Sequence, residues 1–163
     1  MEFTKLAFLG MCSIALISIH ISPANADPLA EEYVKAHNKY RAVENVPPLS
    51  WDETVANYAK KYAKSKAETC EMVHSDGPYG ECLAMASYNM KPAEAVKLWA
   101  DEKKYYDHAS NTCAEGQVCG HYTQVVWEKS THVGCAKVHC KNGGTFITCN
   151  YDPPGNYIGE KPF

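Results

Sequence analysis

The sequence predicts an α+β sandwich, a sheet covered by helices. Three observations predict it. Three segments repeat apolar residues at helical spacing, each behind a helix-start signal. Two runs rich in β-branched residues then flank Asn142-Gly143, a strong tight-turn signal for a hairpin. A chain of 163 residues, 45% hydrophobic, suits one domain.

The elements follow in order. Met1–Lys5 carries one lysine offset by Glu2, Leu6–Ile21 is largely apolar, and Ala24-Asn25-Ala26 has the small-residue pattern of a cleavage site. Residues 1–26 are read as a secretory signal peptide cut after Ala26, too short and too poorly flanked to be a favoured membrane span. No other apolar run is long enough to cross a bilayer, so residues 27–163 are expected to form the whole folded domain. Asp27-Pro28 offers a capping carboxylate and a proline at the first helical position. Tyr33, His37, Tyr40 and Arg41 follow at helical spacing, until Pro47-Pro48 ends the helix. Ser50-Trp51-Asp52-Glu53 reads as a capping box. Behind it, Val55, Ala56, Ala59, Tyr62 and Ala63 make the stripe of a second helix to about Lys66. Cys82–Ala86 is a candidate strand. Pro92 opens a third helix whose Ala93, Val96, Leu98, Trp99 and Ala100 are expected to face the core. Tyr105, Tyr106 and His108 lead into a loop bounded by Cys113 and Cys119. Val133–His139 and Thr145–Tyr151 form the hairpin, and Pro153–Phe163 is a Pro/Gly-punctuated tail.

Gly120–Ser130, GHYTQVVWEKS, packs an imidazole, a phenol, a hydroxyl, an amide and an indole around two valines. Val125, Val126 and Trp127 drive it into a core. His121 is then either a satisfied core histidine or a histidine delivered to the floor of a cleft. A net charge of −3 gives no reason to expect nucleic acid. Eight cysteines in so short a chain indicate an oxidising compartment. Cys12 leaves with the signal peptide, so one of the remaining seven is unpaired, and their spacing leaves the pairing open.

HNKYR (His37–Arg41), GHYTQVVWEKS (Gly120–Ser130) and FITCNYDPPGNY (Phe146–Tyr157) resemble motifs of the cysteine-rich secretory, antigen 5 and pathogenesis-related superfamily, most closely its plant pathogenesis-related class 1 branch. The resemblance runs over essentially the whole mature chain. It implies a three-layer α-β-α sandwich stapled by disulfides, secreted to the apoplast or carried to the vacuole, and expected here as a monomer. It implies a central cleft lined by His37, Glu81, Glu102 and His121, in some members with zinc on the two histidines. Two imidazoles and two carboxylates suit a divalent metal or a pH-sensitive hydrogen-bonded cluster, or else a polar network fixing helices to sheet. No serine or cysteine sits beside a histidine in a nucleophile motif, and there is no HExxH. No enzyme, no catalytic residue and no required cofactor are therefore expected.

The resemblance further implies the pairs Cys70–Cys140, Cys113–Cys119 and Cys135–Cys149, leaving Cys82 as a free thiol. Cys82 stands where the family usually has asparagine, beside Glu81, so it is either a buried inert thiol or a weaker support for that carboxylate. Sterols bind family members through a loop matched here by Lys104–Cys113, with Tyr105 and Tyr106 as candidate lipid contacts. The resemblance thus implies an antimicrobial defence protein that withdraws sterol or a related lipid. The runner-up is a metal-dependent hydrolase working through the four cleft residues. In plant relatives a C-terminal peptide is released, which places a cleavage here between Asp152 and Pro153, freeing Pro153–Phe163 for a receptor. Against release, Tyr157, Ile158 and Phe163 are apolar enough to strap the tail to the body.

Overall fold

The computed structural model describes residues 27–163, so the expected signal peptide and Cys12 lie outside the described residues. Helix α1 spans Pro28–Val43, with the Asp27 carboxylate accepting the Leu29 N–H at 2.9 Å. Strand β1 is Ser50–Trp51, and α2 spans Glu53–Ser65. Strand β2 runs over Gly80–Ala86, two residues earlier than the sequence suggested, and α3 over Pro92–Ala100. A 3-10 turn, Asp101–Tyr105, leads into a small pair, β3 (Tyr106–Asp107) and β4 (Thr112–Cys113). Then come α4 (Gly120–Val125), β5 (His132–His139) and β6 (Thr145–Asp152).

The main sheet has the order β1-β5-β6-β2, with β1 parallel to β5 and the other pairs antiparallel. Its alternating side chains divide between two cores. Leu83, Ala136 and Phe146 meet Ala59 and Ala63 of α2. Cys82, Ala84, Val133, Ile147 and Tyr151 meet Tyr33 of α1, Trp99 of α3 and Val125 of α4. The result is a three-layer α-β-α sandwich. Gly134 lets α2 sit directly on β5, since a Cβ there would stand 2.1 Å from the Ala56 nitrogen. Among the described residues three disulfides form: Cys70–Cys140, Cys113–Cys119 across the loop before α4, and Cys135–Cys149 between paired residues of β5 and β6. The first closes a separation of 70 residues, for which the chain-entropy account gives about 4 kcal/mol. Among the described residues, no helix is long and apolar enough to cross a membrane.

Two segments fold differently from their local sequence pattern. Ser50 does not cap α2. Its N–H donates to the Thr131 carbonyl, and the Asp52 N–H to Val133, so the segment is drawn into the sheet as β1. Asp52 caps instead, accepting the Val55 N–H at 2.9 Å, and that bond holds its carboxyl below the usual range. In α3, Ala93 and Leu98 face solvent. The buried set is Pro92, Ala95, Val96, Trp99 and Ala100, a rotation of the expected stripe that brings Ala95 inward.

Candidate functional site

Trp99 is the indole around which the histidines are arranged. It is buried, and its Nε1–H donates to the Leu83 carbonyl at 2.8 Å, which fixes the ring against β2. His37 lies 6.2 Å from it and His121 6.4 Å, centroid to centroid.

His37 is fully buried on α1. Its Nδ1–H donates to the Tyr33 carbonyl, and its Nε2 accepts the Tyr151 hydroxyl, both at 2.8 Å. Both ring nitrogens are thus occupied, and burial lowers the imidazole to about 4. Four residues on, Arg41 is buried on the same helix. Its guanidinium donates to the carbonyls of Pro47, Val125, Trp127 and Ser130 at 2.7–3.0 Å, joining α1 to α4 and the turn that follows. Burial lowers its pKa to about 10, still charged at neutral pH.

His121 stands on the first turn of α4 and is 28% exposed. Its Nδ1–H donates to Glu102 Oε1 at 2.6 Å. Glu102 Oε2 accepts the backbone N–H groups of His121 and Tyr122 at 3.0 and 3.2 Å, so one carboxylate orients the ring and closes the helix start. The Nε2 edge of His121 is left to proton transfer or to a ligand.

Glu81 and His37 do not join this pair. In β2, Cys82 faces the α4 side, where its thiol approaches the His121 carbonyl at 3.9 Å. Alternation turns Glu81 to the opposite face, the one shared with Leu83 and α2. There it accepts from His74 Nδ1–H at 2.7 Å, from the Ser75 N–H at 2.9 Å and from the Asn150 amide at 3.2 Å. Glu81 is therefore held firmly with cysteine as its neighbour. Cys82 itself is buried and free, with its thiol raised by burial into a form that resists ionisation. His74 was missed from sequence. Its signal was the short separation, seven residues, from Glu81.

The zinc expected from the resemblance does not fit these residues. His37 has no free nitrogen and no exposure, and the other three are split between two pairs. Among the described residues, no three of His, Cys, Asp and Glu are gathered to hold a metal.

The two tyrosines part company. Tyr105 closes the 3-10 turn with the Lys104 ammonium 4.8 Å above its ring. Tyr106 packs on Tyr122 at 5.8 Å and donates to Asn111 Oδ1 at 2.6 Å. Tyr122 is also a wall of a cavity of about 770 Å³ between α1 and the 3-10 turn, lined by apolar surface of Tyr40, Val43 and Ala100 and by the charged Glu44, Asp101, Lys103 and Lys104.

Asp152 ends β6, exposed, with its carbonyl accepting from Thr131 N–H at 3.0 Å, and Pro153 accepts from the Ser130 hydroxyl at 2.7 Å. The tail then returns over the body. Gly155 fits where a Cβ would meet the Trp127 ring at 2.5 Å. Asn156 bonds Gly120 and Thr123. The Pro162 carbonyl accepts from Glu128 N–H at 2.7 Å. Phe163 stacks on His108 at 4.5 Å, and that ring's Nε2–H donates to the Phe163 carbonyl at 2.6 Å. Phe163 thus packs, as the sequence allowed, while Ile158 is fully exposed.

The cysteine-rich secretory protein family matches residues 34–151. Pathogenesis-related protein 1A of Nicotiana tabacum is 53% identical over 158 residues, covering 96% of this chain and 94% of its own. Pathogenesis-related protein 1 of Arabidopsis thaliana is 47% identical over 163 residues, covering 100% of both. Among solved structures, venom allergen-like protein 4 of Schistosoma mansoni superposes with a TM-score of 0.68 at 26% identity, over 85% of this chain and 95% of its own.

Proposed function

This chain belongs to the cysteine-rich secretory protein family, within its plant pathogenesis-related class 1 group, and from that premise we propose that it is a secreted plant defence protein that acts by taking up sterol or a related lipid. The observation that carries the reading is the 770 Å³ cavity. Its volume is in the range of small-molecule sites and its wall area is mainly apolar, with a Lys103–Glu44 ion pair on its rim. Tyr122 connects this cavity to Tyr106, and so to the loop expected to carry lipid contacts.

The test is titration of the purified mature protein with a fluorescent sterol, with and without zinc. Tyr105→Ala/Tyr106→Ala is expected to weaken binding and His121→Ala to leave it intact. Absence of saturable binding, or equal loss in both variants with folding preserved, overturns the reading. The alternative, a divalent-metal-dependent hydrolase, has less support, because the imidazoles and carboxylates do not converge.

A second role has its own supporting observation. The sheet and all three disulfides are complete at Asp152, so a cut before Pro153 removes only residues outside the sheet. Release of Pro153–Phe163 as a receptor-read signal is the corresponding proposal. Peptide analysis of the extracellular fluid after infection is expected to find that segment. Its absence leaves the whole domain as the active species.

A further inference from the structure

A second cavity, of about 480 Å³, shares Tyr106 and the end of its loop with the lipid reading but lies on the side of the tail. It lies between the segment carrying β3, β4 and the start of α4 on one side and the tail on the other. Three aromatic rings line it: Tyr106, Trp127 and Tyr157. Its polar walls are mostly uncharged, among them Asn111, Gln117 and Thr123. The one carboxylate there, Glu160, is paired with Lys129 at 2.8 Å. Trp127 adds an unusual feature. It is 2% exposed, and its Nε1–H has no hydrogen-bond partner in the protein. That donor is sealed inside the protein, so Trp127 offers the cavity ring surface only.

We propose that this cavity binds a neutral saccharide. A pyranose ring has one face of C–H groups, which lies on an aromatic ring, and a girdle of hydroxyls that both donate and accept. Amide side chains also do both, and the exposed Gln117 supplies one, while Asn111 is engaged by the Tyr106 hydroxyl and the Glu160 carbonyl. A sterol would cover the exposed Gln117 amide without offering the several hydrogen bonds that a sugar's hydroxyls supply. An anionic glycan would meet no lining cation and would face Glu160. Because Tyr157 belongs to the tail and Tyr106 to the body, the bound sugar bridges the two.

Chitotriose, cellotriose and maltotriose are the probes, titrated into the full mature protein and read by calorimetry and ligand-observed NMR. At least one is expected to bind saturably. Tyr157→Ala and Gln117→Ala change exposed residues and leave the core intact. Tyr157→Ala is expected to weaken binding about tenfold, the loss of one stacking contact. Val43→Ser, in the other cavity, is expected to leave saccharide binding unchanged while weakening sterol uptake, so the two readings fail separately. Protection of the tail from limited proteolysis by the bound probe is the second expected readout. No saturable binding of any probe at millimolar concentration overturns the proposal, as does affinity in Tyr157→Ala and Gln117→Ala equal to that of the native chain, or displacement of the sugar by sterol.

Discussion

His37 and His121 are the same side chain, each about one ring's distance from Trp99, and they have opposite fates. His37 is sealed in, neutral, with both nitrogens committed to Tyr33 and Tyr151. His121 is part-exposed, with one nitrogen on a carboxylate and the other available. The difference lies in what each helix presents around them. On α1 the neighbours are interior, and the bonds of Arg41 one turn away lock that helix against α4. On α4 the neighbour is Glu102, reaching up from the 3-10 turn to a helix start that needs acceptors. The interior His37 holds the fold, while His121, paired with a carboxylate nearer the surface, keeps one ring nitrogen free.

The largest test of that contrast is Arg41→Met. It strands at least four carbonyls that the guanidinium now satisfies, and a loss of about 3 kcal/mol or more is expected. Denaturant midpoints measure it against His121→Ala, for which a change of under about 1 kcal/mol is expected. Similar losses in the two would erase the distinction between structural and available polar groups.

Next in size is the pH dependence of His37. Its folded-state pKa, about 4, lies below the ordinary 6.5, so on acidification the unfolded chain takes up the proton first. The unfolded state therefore binds more protons between these values, and stability falls as pH drops through that window. The contribution is complete above about 6.5, and the full shift corresponds to roughly 3 kcal/mol. Melting temperature against pH, for the native chain and His37→Gln, is expected to show a shallower acid slope in the variant. Identical slopes would mean that the interior imidazole is not the group that titrates.

Glu102→Ala sharpens the other side. It removes an acceptor from two backbone N–H groups and from the His121 ring, with an expected cost of about 1–2 kcal/mol. A perturbed His121 ring resonance, with the core otherwise unchanged, would mark Glu102 as its positioning residue. The smallest effect concerns Cys82. Alkylation followed by mass spectrometry is expected to label it slowly in the native protein and readily after unfolding, with three disulfides intact. Rapid native labelling would place the thiol at the surface instead.

The sequence by itself determined the elements whose signals are local. Asp27-Pro28 starts α1, Pro92 starts α3 and Asn142-Gly143 turns the hairpin, because capping, ring closure and turn geometry act within a few residues. Its motifs also carried the family resemblance, which the comparisons support. Other features depended on packing between distant segments. Ser50-Trp51 looked like a helix start but became a strand, because an open edge of β5 supplied hydrogen bonds that a local pattern cannot reveal. Leu98 belongs by type in a core and faces solvent, because Trp99 and Ala95 decide the rotation of α3. The site diverged most. Whether Glu81 meets His37 or His74 depends on which face of β2 it occupies, and that register is set by pairing with β6. Only the assembled sheet decided it, since a strand turns alternate side chains to opposite faces and motif order carries no record of which face is which.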